Sequence, residues 1–235
     1  MNHSIEVCLS PRLIELYELK GKTVVVVDIL RATSSMVTGM AHYVKEIIPV
    51  TTVEKCFELQ KKGCIAAGER NGQVVDGMDM GNSPFSYMDK NLESKTIAMT
   101  TTNGTVAIEK STSAKQILIG AFLNIQCLAD YLKEYKNDVL VFCAGWKGRV
   151  NLEDSLFAGN LIHLLEGSHT CQDDAALMAR SMYTSAQHDI SAYLADCAHA
   201  QRLGNLGIQK DIDFCFQKDK YQIIPHFKEG KLVTL

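Results

Sequence analysis

A chain of 235 residues with 46% hydrophobic and 22% charged side chains can bury a substantial core and lacks the composition of a disordered segment. Its net charge of -3 offers no global basic field to nucleic acid or anionic membrane, although a local group of bases can still hold a small anion. No apolar run approaches the roughly 20 residues of a membrane span, and the first residues do not read as a leader, so a cytoplasmic location is expected.

In chain order, KTVVVVDIL reads as a strand, SSMVTGMAHYV as a helix and EIIPV as the next strand. VEKCFELQKKG is an amphipathic helix stopped by Gly63. CIAAGE and KTIAMTT are strands, the second feeding a helix from Gly104 to Lys110. QILIG, NIQCLADYLKEY, DVLVFCAG and LEDSLFAGNLIHLL continue the alternation. From Asp173 to about Ala200 the pattern is helical, and DIDFCF, YQIIP and KLVTL then look like three short strands, pairing at a sheet edge or forming a small cap. No linker or repeat divides the sequence. The rhythm predicts one α/β domain of three layers, α/β/α, around a mixed, mainly parallel sheet. The eight cysteines form no C-x-x-C pair, and Cys8, Cys64 and Cys215 stand in apolar surroundings, which suits reduced core thiols better than disulfides or zinc.

Ligands of open α/β sheets bind at the carboxyl ends of the strands. Four of those ends carry chemistry: Asp28 with Arg31, Thr33 and Ser34; Glu69 with Arg70; Thr100 to Thr105, including Thr102, Asn103 and Gly104; and CAGWKGRVNLED, ending in Glu153 and Asp154. Of only six arginines, Arg31, Arg70 and Arg149 fall in these loops, and guanidinium groups suit carboxylate, sulfonate or phosphate oxygens. The location they share points to a small polyanionic ligand.

Each piece also has a plainer reading. Asp28 and Arg31 could pair with each other; Glu153 and Asp154 could serve a helix first turn with Asn151 as its cap; TTTNGT could be a polar turn. Cys143 and Arg149 have the C-x5-R spacing of thiol phosphatases, but Phe142 replaces the usual histidine, and a packed cysteine is the favoured account. The template of a strand-end aspartate nucleophile with a second acid two residues on fails at Leu30. The seven histidines show no ligand spacing, and His163 reads as a helix-surface or partly packed residue.

VVDILRATSS, GERNG, GMDMGNSP, TTTNGT, IGAFLN and CAGWKGRVNLEDSLFAG, followed by DIDFCFQKD and IIP, resemble in order and character the 2-phosphosulfolactate phosphatases over nearly the whole chain. The resemblance implies an Mg²⁺-dependent hydrolase converting (R)-2-phospho-3-sulfolactate to (R)-3-sulfolactate and phosphate, a step towards coenzyme M, and a homodimer. It implies metal ligands among Asp28, Glu69, Glu153 and Asp154, anion contacts from Arg31, Arg70 and Arg149, and neutral donors from Asn82, Ser83, Thr102, Asn103 and Gly104. Asp28 is the first choice as general base or nucleophile, with Cys143 as the second nucleophile. Trp146-Lys147 and Val150-Asn151 stand where relatives often carry Thr-Glu and Phe-Ser, which leaves open another 2-hydroxy acid phosphate as substrate. A non-catalytic anion-binding module is the remaining alternative, although a pure binder gains nothing from carboxylates beside an anion.

Overall fold

A computed structural model describes residues 3–195, 197–204 and 206–235. The strands are β1 (His3–Cys8), β2 (Thr23–Val27), β3 (Glu46–Pro49), β4 (Ile65–Arg70), β5 (Gln73–Val74), β6 (Thr96–Thr100), β7 (Gln116–Gly120), β8 (Val139–Cys143), β9 (His169–Cys171), β10 (Pro225–Lys228) and β11 (Lys231–Thr234). Among the described residues they form one 11-stranded sheet, ordered β5-β4-β6-β3-β11-β10-β7-β2-β8-β1-β9. Every residue of β2 and β8 is buried, as expected where helices cover both faces of a parallel sheet.

The helices are α1 (Ala32–Ala41), α2 (Val53–Gln60), α3 (Gly104–Lys110), α4 (Ile125–Tyr135), α5 (Leu152–Leu164), α6 (Asp174–Ala186), α7 (Ile190–Tyr193), α8 (Ala198–Gly204) and α9 (Gln209–Cys215). The three-layer α/β/α arrangement and the strand–helix alternation up to α5 are those expected. Helix α5 is buried nearly all round, acids included, and it meets α6 so closely that a Cβ on Gly159 would lie 2.0 Å from the Ala179 carbonyl oxygen.

The tail departs from expectation in three ways. DIDFCF is the helix α9, not a strand. Its buried residues, Asp211, Ile212, Phe214 and Cys215, follow i, i+1, i+3, i+4, a helical spacing hidden beneath an alternating pattern. In YQIIP only Pro225 enters a strand. KLVTL does form β11, but the β10–β11 hairpin lies inside the sheet rather than at its edge. It closes through Glu229 and Gly230, both at positive φ, the two-residue turn whose twist suits paired strands. Pairings of His226 with Leu118 and Leu232 with Ile47 then join the parallel group β7-β2-β8-β1-β9 to the parallel group β4-β6-β3. Strands β1, β5 and β9 are elements the periodicity reading passed over.

Five steps in sheet order separate β6 from β2. Yet the segment that follows β6 lies against the segment that follows β2. A Cβ on Gly104, just after β6, would lie 2.5 Å from the Ala32 Cβ and 3.0 Å from Asp28 Oδ2, so only glycine permits this approach. Among the described residues no helix is long and apolar enough to cross a membrane, and the cysteines are free. Cys8 and Cys215 are buried as expected, whereas Cys64 is only partly so.

Candidate active site

Strand β2 ends in a buried polar turn. The backbone N–H of Asp28 donates to Thr33 Oγ1 at 3.0 Å, Ser34 Oγ donates to the Ile29 carbonyl at 2.8 Å, and Ser35 Oγ donates to the Asn82 carbonyl at 2.9 Å. The hydroxyls of ATSS thus satisfy a loop buried too deeply for water to do so. They leave Asp28 with one weak internal partner, the Ala32 N–H at 3.4 Å from Oδ1; among the described residues Oδ2 has none. Burial, reinforced by Glu69 and Glu153, pushes the Asp28 carboxyl up to about 7, although His199 opposes the shift.

Asp28 lines a cavity of about 20 Å³, room for about one water, together with residues from five loops and from α8 of the cap α7–α9. Leu30 and Arg31 come from the β2 end, Glu69 and Gly72 from the β4 turn, Thr102 and Asn103 from the β6 end, and Trp146 from the β8 loop. Asn82 adds an amide whose buried Oδ1 has no hydrogen-bond partner. The cap supplies His199, Arg202 and Leu203.

Arg31 does not pair with Asp28. Its guanidinium forms a buried ion pair with Asp211 of α9 and donates to the Gly72 carbonyl at 3.3 Å. Ser83 is not on the cavity wall; its hydroxyl donates to the same Asp211 carboxylate at 3.1 Å. Arg70 is directed to the Glu69 carbonyl and Thr100 Oγ1, and Arg149 is exposed; neither lines the cavity. Gly104 acts through its close approach to Asp28 rather than from the wall.

Three of the four acids proposed for a metal have both oxygens occupied. Glu69 accepts from the Thr102 N–H and hydroxyl on Oε1 and from the Gly72 N–H on Oε2. Asp154 accepts from the Ile29 N–H at 2.9 Å and the Gly145 N–H at 3.0 Å, tying the β2 end to the β8 end, while burial and the neighbouring Glu153 and Asp28 carboxylates raise its pKa. Glu153 is fully buried, with His199 Nδ1 2.6 Å from Oε1 and the Cys197 thiol donating to Oε2 at 3.0 Å. Asn151 precedes α5 without a side-chain capping bond; its amide lies 3.1 Å from His199 Nδ1.

Cys143 is fully buried and absent from the cavity wall. Burial, with Asp154 next in effect, drives its thiol pKa well upward, so it stays an un-ionised core thiol. The exposed Arg149 makes no phosphate loop with it, and the C-x5-R reading as a thiol phosphatase fails.

His199 and Arg202 escaped a reading centred on strand ends. The available signal was HAQR: positions i and i+3 of a helix share a face, and here that face turns to the cavity. Trp146 flanks this face, with its ring 6.3 Å from the His199 ring at 28° and 4.6 Å from Arg202 Cζ.

The family model for 2-phosphosulpholactate phosphatase matches residues 8–230. The chain belongs to the 2-phosphosulpholactate phosphatase family. It is 39% identical over 212 residues to a probable 2-phosphosulfolactate phosphatase of Thermotoga maritima, covering 90% of this chain and 92% of the relative. A protein of the same description from Clostridium novyi is 38% identical over 232 residues, covering 97% and 98% of the two chains. One from Clostridium acetobutylicum is 35% identical over 234 residues, covering 97% and 99%.

The Mg²⁺ that the 2-phosphosulpholactate phosphatase family implies needs oxygen ligands, commonly one or two carboxylates completed by substrate phosphate and water. Among the described residues no group of three or more His, Cys, Asp or Glu side chains could hold an ion. The unpartnered Oδ2 of Asp28 and the orphaned Oδ1 of Asn82 nevertheless offer two hard donors from residues of the same cavity, and that donor chemistry suits a cation that phosphate and water would complete.

Proposed function

We propose that this phosphoric monoester hydrolase cleaves (R)-2-phospho-3-sulfolactate to (R)-3-sulfolactate and phosphate, with Mg²⁺ held at Asp28 and Asn82. The observation that carries the reading is Asp28, a buried carboxylate with a free oxygen, sharing a small cavity with Arg31 and Arg202 in a chain whose family model spans residues 8–230. A substrate bearing phosphate, sulfonate and carboxylate needs cations around a reacting centre, and Arg202 meets that need together with Arg31, whose charge is shared with Asp211. When bound, the metal would neutralise phosphoryl oxygens that otherwise repel an attacking water.

With Oδ2 given to the metal, Asp28 serves as the general base through Oδ1, whose one partner is the long Ala32 N–H contact: it takes a proton from the water that attacks phosphorus. Arg31 and Arg202 draw in the anionic groups, and Thr102 and Asn103 contribute neutral polar contacts. Leu30 and Leu203 give the cavity apolar lining that limits bulk water.

The test is phosphate release from 2-phosphosulfolactate by the purified chain in Mg²⁺, repeated in EDTA. Release abolished by chelation and restored by Mg²⁺ is the expected outcome. Release indifferent to EDTA would remove the metal from the mechanism; equal turnover of 2-phospholactate would remove the sulfonate from recognition.

A further inference from the structure

We propose that His199 is the catalytic acid that protonates the departing alkoxide oxygen. This inference rests on the phosphatase reading above. It answers a need that reading leaves open: an aliphatic alkoxide is a strongly basic leaving group, and its departure is assisted by a proton delivered as the bond breaks.

The geometry suits the task. His199 is 8% exposed and lines the cavity with Asp28, yet it comes from the cap rather than from a strand end. Its Nδ1 lies 2.6 Å from Oε1 of the fully buried Glu153. A carboxylate at that nitrogen holds the hydrogen on Nδ1 and orients the ring, and the Asn151 amide 3.1 Å from the same nitrogen keeps that edge of the ring buried in polar contacts. The other carboxylate oxygen accepts from the Cys197 thiol, so Glu153 has a partner on each side. Among the described residues Nε2 has no hydrogen-bond partner, and in the imidazolium it carries the proton available to a ligand. Trp146 lies beside the ring, its centroid 6.3 Å away and its plane at 28°.

The step balances. As the bond between phosphorus and the ester oxygen breaks, its electron pair stays on that oxygen, which takes the Nε2 proton and leaves as the alcohol. The water oxygen forms the new bond to phosphorus and gives one proton to Asp28. His199 is left neutral, with Nδ1–H still on Glu153, and exchange with solvent after product release returns one proton to His199 and removes one from Asp28.

The alternative is that the Glu153–His199 contact only tethers α8 to α5. The two accounts differ in their dependence on the leaving group. Full-length wild type and the His199→Gln variant are compared on 2-phosphosulfolactate and on p-nitrophenyl phosphate, whose phenolate leaves without a proton. For a catalytic acid, kcat on the alkyl ester falls about 10²- to 10⁴-fold while the aryl ester loses less than about tenfold. Equal losses on both esters would overturn the proposal in favour of the tether.

If wild type does not turn over the aryl ester, the kinetic isotope effect of ¹⁸O in the bridging position of 2-phosphosulfolactate decides instead. It rises in His199→Gln for a catalytic acid and is unchanged for a tether. Glu153→Gln, which keeps a side chain of the same size, should show the same leaving-group bias to a smaller degree, because Glu153 acts through His199 as a positioning residue. Wild type that releases no phosphate from 2-phosphosulfolactate would reject the parent reading, a result distinct from either outcome in the variants.

Discussion

Asp28 shows how a residue can serve a reaction at a cost to stability. Its native pKa of about 7 lies above the ordinary value of 3.8, so between those values the folded chain keeps a proton that the unfolded chain has released. Stability from this group is therefore full below about pH 4, falls as pH rises through that window, and has been lost above about 7. Asp28→Asn should abolish turnover yet stabilise the fold at pH 8 in EDTA by on the order of 1–4 kcal/mol, with no gain at pH 4. Denaturant midpoints at the two pH values test this, and an Asn variant less stable than wild type at pH 8 would contradict it. Arg202 carries a different kind of prediction, because its guanidinium lies over the Trp146 ring and lines the cavity. Arg202→Gln should lower kcat/KM on 2-phosphosulfolactate about 10- to 100-fold, the worth of one charge-assisted contact, and mostly through KM. A smaller loss on 2-phospholactate would assign Arg202 to the sulfonate; equal losses would assign it to the groups that the two esters share.

At the scale of elements, the strand ends were legible because their chemistry is local. A run such as VVVVD places Asp28 at a strand tip in any fold that buries the valines, and the structure brings Glu69, Thr102 and Asn103 to the same cavity. Arg70 and Arg149 occupy similar loop positions, but their side chains are directed elsewhere by backbone geometry that loop sequence does not reveal. The cap was harder to read. Helices α7 and α8 span only 4 and 7 residues, too short for periodicity to announce a face, and in α9 alternating acids and apolar residues imitate a strand. Their roles come from long-range contacts: Arg31 with Asp211, and Glu153 with His199.

The molecule as a whole encloses its reactive groups. The cavity has room for about one water, and α8 supplies His199, Arg202 and Leu203 to its wall, so α8 is the element expected to shift as a three-carbon trianion enters. Amides of α8 should therefore exchange with solvent faster than those of β2, and should slow when sulfolactate and phosphate are added together. Exchange indifferent to both ligands would mean that the cap does not gate the site. The amino-acid sequence by itself determined the strand–helix alternation, the mainly parallel sheet and the acid at the tip of its most apolar strand, because each follows from the spacing of residues near one another in the chain. Only the tertiary structure decided that the C-terminal hairpin joins two parallel groups of strands, that Arg202 rather than Arg70 or Arg149 lines the cavity, and that Glu153 orients a histidine. Those outcomes depend on strand order and on the docking of the cap, where residues far apart in sequence must together satisfy buried charges that no local pattern records.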